Sequence, residues 1–299
     1  MTEKISLQSE GEQLDSFLDD LQREQQIREI AGWETGFPNL SRALDGIRPG
    51  LYLLVGPPGC GKTSFAKQLL DQVVMHNSIP GIFFSFSEKK KELRLKTLAR
   101  LSGLENREIR RGSAYLLHWY GVPKVHQSDA EHLPPSWEKL KQSAEKARVW
   151  LDLIYLIECG HDTGLQQLEN RVRDLQTLRS TDHCMIVIDD CQRLGNSELK
   201  LTDRVAIVVN ELQRTAVSLE VPIVAVYPDL GEDRSLRQIW SDKAPSADVI
   251  LVVEMDLERT KKLTDPNQSL TFHIVKNRGG ERGKLAFDFF PAFARFSEA

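Results

Sequence analysis

No stretch of the 299 residues approaches the length of a membrane-spanning apolar run. The first twenty, MTEKISLQSEGEQLDSFLDD, are acidic and polar, with neither a basic start nor an apolar core. No secretory signal, transit peptide or spanning helix is therefore expected, and a cytoplasmic location is. Cysteine is scarce: Cys60, Cys159, Cys184 and Cys191 are scattered without C-x-x-C spacing. Free buried thiols are the expectation rather than disulfides or zinc, and His183-Cys184 with Cys191 is too little for a metal site. A basic excess is missing as well. Lys and Arg number 39 against 43 Asp and Glu, a net charge of −4, with a pI near 6.0. Indiscriminate nucleic-acid binding is not expected, and any such contact needs a local basic surface. Internal repeats and low-complexity tracts are absent too. With 40% hydrophobic and 27% charged residues, what remains is an ordinary soluble composition, long enough for one large domain or a domain with appendages.

What is present is concentrated in LYLLVGPPGCGKT, residues 51–63. A five-residue apolar run breaks into Gly56-Pro57-Pro58-Gly59-Cys60-Gly61-Lys62-Thr63, a complete G-x-x-x-x-G-K-[ST] phosphate loop. Gly56, Gly59 and Gly61 allow backbone conformations that turn successive N–H groups inward as a cradle for β and γ phosphates. Lys62 adds a point charge, Thr63 offers a hydroxyl to Mg²⁺, and the helix beginning SFAKQLLDQVV points its positive end at the ligand. Phe65, Leu69, Leu70 and Val73 on one side of that helix supply the strand–loop–helix context the motif requires. The ligand is a nucleoside triphosphate, with ATP and Mg²⁺ the expected pair.

Residues 1–32 read as a separable arm and 33–299 as the main domain. In the arm, Leu14, Phe17, Leu18 and Leu21 form an apolar stripe on an otherwise polar helix, which either folds back on its own domain or docks on a neighbour. Beyond Gly36, strand-like runs at 51–55, 81–86, 153–157, 185–188, 222–227 and 249–253 alternate with helical stretches. Two more, 270–275 and 284–290, enclose Gly279, Gly280 and Gly283 as a terminal hairpin. The expectation is an α/β domain with a mostly parallel sheet, helices on both faces and an antiparallel end. The segment 112–135, with three of the ten Trp and Tyr and three of the seven His, is expected to form a small satellite core around Leu116, Leu117, Trp119 and Tyr120 rather than a nucleic-acid platform.

The run Cys184–Ile188 ends in Asp189-Asp190, which places a carboxylate at the carboxyl end of a strand, across from the phosphate loop. Asp189 is assigned to the Mg²⁺ shell. Glu88, after the second strand, is the candidate for activating the attacking water, with Asp190 as the alternative. Glu88 also begins the run Glu-Lys-Lys-Lys-Glu, which equally describes a solvated helix start.

Together these residues resemble the RecA-like ATPase domain of replicative ring helicases of the DnaB type. The resemblance runs over about residues 33–297, through TGFPNLSRALDGIRPG, FFSFSE, Ser136-Trp137-Glu138-Lys139-Leu140, VIDDCQRL, ELQRTAVSLEVPIVAV, SADVILVVE and HIVKNRGGERGKLAFDFFPAFARF. It implies a RecA-like P-loop NTPase core and a homo-oligomer, a hexameric ring with ATP at each interface. Lys276 and Arg278 match the basic residues such a hairpin supplies to the neighbour's nucleotide, and Gln192 the family's glutamine beyond the metal-binding strand. Single-stranded DNA is the implied ligand of two pore loops, 195–204 and 231–246, where Lys200, Arg204, Arg234, Arg237 and Lys243 could meet phosphates among the acids Glu198, Asp203, Glu232, Asp233 and Asp242.

Three departures stand out. Ser87 occupies the position of the family's catalytic Glu, with Glu88 one residue later, and Pro228 stands where a polar sensor is usual. The large N-terminal primase-interacting domain is expected to be missing, leaving ring loading to another protein. The leading expectation is an ATP-hydrolysing helicase or translocase on single-stranded DNA. The alternative is a non-translocating ATPase that uses ATP as a switch for a protein or recombination complex.

Overall fold

The computed structural model describes residues 30–111, 135–160, 162–194, 201–228, 240 and 244–299, with residues 9, 11, 14, 18, 19 and 22 near the N-terminus. One nine-stranded sheet organises them, in the order β3-β2-β4-β5-β1-β6-β7-β8-β9. The strands are β1 (Gly50–Gly56), β2 (Gly81–Ser85), β3 (Ile154–Glu158), β4 (Met185–Asp189), β5 (Pro222–Pro228), β6 (Val249–Met255), β7 (Gln268–Asn277), β8 (Gly283–Phe290) and β9 (Arg295–Glu298). The first six run parallel. The last three add an antiparallel extension. All eight expected strands are present, with ends displaced by a residue or two. The ninth strand, RFSE, is too short and too polar to announce itself in the sequence.

The central strand β1 is buried along its whole length, as its unbroken apolar run requires of a strand covered on both faces. Side chains alternate between two cores. On one face Leu53, Val55, Ile188 and Ala225 meet the helices Leu165–Arg179 and Leu201–Ser218 and the buried Trp240. On the other, Leu54, Val187 and Val226 meet helices α1 (Pro38–Leu44) and α2 (Lys62–Asn77) and a group of rings centred on Phe65, Phe272, Phe287 and Phe296. Helix α3 (Lys90–Ser102) is joined to α2 through buried polar groups. Asp71 takes hydrogen bonds from Lys67, Thr97 and Arg100, and Arg100 also reaches the carbonyl of Ala294. The C-terminus closes on the N-terminal side of the domain. The Glu298 carboxylate accepts from the Asn39 and Leu40 N–H groups at 2.9 and 2.8 Å, capping α1, whose own residues supply no side-chain cap.

All four cysteines are unpaired, and Cys159 alone is only half-buried. Among the described residues no helix is long and apolar enough to cross a membrane. Of the arm's stripe, Leu14 and Leu18 are half-exposed, while Phe17 and Leu21 lie outside the described residues. The segment 112–134, with its expected satellite core, lies outside them too.

Candidate active site

At the carboxyl end of β1 the chain leaves the sheet at Gly56 and enters α2 at Lys62. Gly61 has φ of +80°, and a Cβ there would lie 2.7 Å from the Phe289 ring, so only glycine fits the turn. Gly59 also has a positive φ, +81°, with open space around it. Pro58 and Gly59 are exposed, Pro57 is half-exposed, and the Cys60 side chain turns back into the core. Lys62 Nζ donates to the carbonyls of Gly56 and Pro57, each at 2.8 Å, which holds its ammonium over the loop.

Parallel pairing of β4 with β2 and β5 brings Asp189 to the same edge. Thr63 Oγ1 donates to its Oδ2 at 3.0 Å and Oδ1 at 3.2 Å, and Ser87 Oγ donates to Oδ2 at 2.8 Å. Asp189 is 2% exposed. Burial pushes its carboxyl above the usual range, the two hydroxyls pull it back, and the charges of Glu88 and Asp190 push it further up. A buried carboxylate beside two hydroxyls fits a hard cation such as Mg²⁺ that is completed by phosphate oxygens and water.

The two candidate bases differ in their surroundings. Asp190 takes a left-handed conformation, φ +70°, and pairs with Arg193 Nε at 2.7 Å. Glu88 has its backbone fixed by Ser85, whose Oγ accepts from the Glu88 N–H at 3.0 Å and donates to its carbonyl at 2.8 Å. Its Oε1 receives Lys96 Nζ at 2.5 Å, while Oε2 is buried without a hydrogen-bond partner among the described residues. Gln192, in the turn Cys191–Arg193, is half-buried two residues beyond Asp190.

Lys276 and Arg278 are not at this edge. Asn277 pairs with Val249, which stands beside Tyr52 near the amino end of β1. Gly56 is four residues further along, roughly 13 Å at about 3.3 Å per residue. Arg278 forms an ion pair with Asp248 at 3.0 Å and remains 59% exposed. Lys276 Nζ donates to the Pro245 carbonyl, and partial burial followed by the Arg278 charge lowers its pKa. A cleft of about 850 Å³ lined by Trp33, Arg42, His76 and His183 also lies at the amino ends of the strands and contains none of the phosphate-loop residues.

The sequence reading missed Ser87 as a partner of Asp189 and Lys96 as a partner of Glu88. The first was hidden because a lone serine carries no signal, the second because the pair joins a loop to the second turn of a helix. Of the residues considered for DNA, Arg204 is half-buried, its Nε without a partner among the described residues, and Lys200, Arg234, Arg237 and Lys243 lie outside the described residues. Pro228 ends β5 directly beside Gly56.

A family model described as the DnaB-like helicase C-terminal domain matches residues 32–298. The replicative DNA helicase DnaB of Pasteurella multocida (strain Pm70) is 24% identical over 291 residues, covering 89% of this chain and 55% of that protein. The chain thus spans about half the length of the curated relatives it matches. Among solved structures, one described as an ATPase domain superimposes with a TM-score of 0.75 at 18% identity, covering 97% of this chain and all of that one. A DnaB-like replicative helicase, solved with attention to its interactions with primase, gives 0.72 at 18% identity over 95% of this chain and 68% of the other. These likenesses fix the fold as RecA-like.

Proposed function

The chain belongs to the DnaB-like helicase C-terminal domain family, and from that premise we propose that it is the ATP-hydrolysing unit of a ring that moves along single-stranded DNA. One observation carries the reading. The phosphate loop and Asp189 lie at the carboxyl ends of the parallel strands, and the Lys276–Arg278 hairpin lies at their amino ends. Within one protomer the two lie at opposite ends of the strands, and a head-to-tail ring would bring the hairpin of one subunit toward the nucleotide of the next.

In this reading the backbone N–H groups of Gly59 to Thr63 and the Lys62 ammonium bind the phosphates. Thr63 and Asp189 would hold Mg²⁺, with Ser87 orienting the Asp189 carboxylate. The cation supplies charge neutralisation for the β and γ oxygens when bound. Glu88 takes a proton from the attacking water, and Lys276 and Arg278 of the adjacent subunit meet charge developing on the γ-phosphate. Hexameric closure, a cytoplasmic setting, a protein loader and DNA contacts by Lys200, Arg204, Arg234, Arg237 and Lys243 belong to the same proposal. The likeness to replicative helicases supports a motor over a nucleotide switch.

The test is steady-state ATP hydrolysis with and without single-stranded DNA, with Lys62→Ala as the blank. Strong stimulation by DNA is expected. Turnover indifferent to DNA would overturn the motor.

A further inference from the structure

The geometry points to Lys96 as the positioning residue for Glu88, fixing one carboxylate oxygen so that the other, Oε2, is the atom that accepts the proton of the attacking water. This rests on the reading of Glu88 as the water-activating acid.

Three observations converge on it. The Glu88 backbone is clamped at both its N–H and its carbonyl by the Ser85 hydroxyl, so the side chain leaves from a fixed point. Lys96, on the second turn of α3, then fixes the direction of that side chain. Its ammonium meets Oε1, and the two side chains are only 18% and 25% exposed. An ion pair so shielded is held in place far better than one waving in solvent. Oε2 is left buried with no donor among the described residues. A carboxylate oxygen removed from water and given no partner is costly, and such groups in a folded protein ask for a ligand.

The position of Glu88 gives that oxygen a use. Glu88 follows Ser87, which touches Asp189, and the Glu88 charge is felt at the Asp189 carboxyl. Asp190 lacks this arrangement, because Arg193 binds it within a single turn and its side chain is anchored to its own loop. Glu88 and Lys96 thus reproduce the logic of an oriented base, in which a third group sets the direction of the one that moves the proton. As the water oxygen bonds to the γ-phosphorus, its proton passes to Oε2. The bond from phosphorus to the bridging oxygen breaks, and its electron pair leaves on ADP.

A structural ion pair and a positioning pair predict different kinetics. Lys96→Met should lower kcat by about tenfold to a hundredfold, the scale of a misplaced catalytic group. Affinity for a non-hydrolysable ATP analogue should stay within about twofold, since no phosphate contact is lost. Lys96→Arg, which still offers a cationic donor to Oε1, should restore most of kcat. Glu88→Gln alone should cost about 10²- to 10⁴-fold, and adding Lys96→Met to it should cost nothing further. Losses that multiply in the double variant, or full turnover in Lys96→Met beside an inactive Glu88→Gln, would overturn the role of Lys96 and leave Glu88 as the base. Unchanged turnover in Glu88→Gln would instead remove the reading on which the inference stands. A fall in analogue binding that parallels the fall in kcat would mark Lys96 as structural and also overturn it.

Discussion

Gln68 and Phe296 are paired like two strands. The Gln68 Nε2–H donates to the Phe296 carbonyl at 3.0 Å, and the Phe296 N–H donates to Gln68 Oε1 at 2.7 Å. Gln68 lies less than two turns into α2, so one side-chain amide ties the phosphate-loop helix to the last strand of the sheet. Both partners are buried. Gln68→Leu keeps the bulk and strands two backbone groups, each of which costs about 1–3 kcal/mol when left unsatisfied. We expect a loss of roughly 2–6 kcal/mol in urea unfolding, with no change in the m-value.

The cap on α1 is a second long-range tie. Glu298 serves a helix that starts 260 residues earlier in the chain, and substitution by Ala frees the Asn39 and Leu40 N–H groups. The expected cost is about 0.5–2 kcal/mol, the range of an ordinary N-cap. Glu298→Gln should lose less, because its amide oxygen still accepts one bond. Thermal unfolding of the two variants side by side checks the order.

These two ties also mark where the sequence stops being legible. The phosphate loop, Asp189 and the parallel strands are visible because each is a local pattern, an apolar run followed by glycines or acids. The ninth strand and the cap on α1 depend on Gln68 and Glu298 finding partners more than 200 residues away, and no local pattern encodes that. Glu88 was ambiguous for a related reason. Its run of charges reads as a solvated helix start until Lys96 folds back onto it.

Alkaline stability offers a separate check on the core. Cys184 is fully buried, and burial raises its thiol from 9.0 to about 12. The thiolate is thus disfavoured in the folded chain but not in the unfolded one. Its contribution is complete below pH 9 and is lost as the pH climbs from 9 toward 12. At about 1.4 kcal/mol per unit, roughly 2 kcal/mol should be gone by about pH 10.5. Cys184→Ala, which pays its packing cost at every pH, should show a shallower decline over that window. Urea midpoints measured at several pH values would expose parallel slopes if the thiol played no part.

The distance between Arg278 and Lys62 makes the strongest prediction. Arg278 lies at the amino end of the parallel strands and Lys62 beyond their carboxyl end, so each should act on a different nucleotide. Arg278→Ala should therefore keep nucleotide binding and lose about 10³- to 10⁵-fold in turnover, as removal of an arginine finger does. Lys62→Ala should lose both binding and turnover. Mixed together, the two inactive proteins should recover activity, because an intact phosphate loop on one variant faces an intact Arg278 on the other. Random assembly at equal amounts makes roughly a quarter of the interfaces whole. Recovery requires that subunits exchange, so the mixture is refolded together and compared with proteins refolded apart. If both samples stayed inactive while gel filtration showed mixed oligomers, Arg278 would act within its own chain or on something other than the nucleotide. The present geometry rules out the first of these, since the chain would have to move the hairpin past four residues of its own central strand.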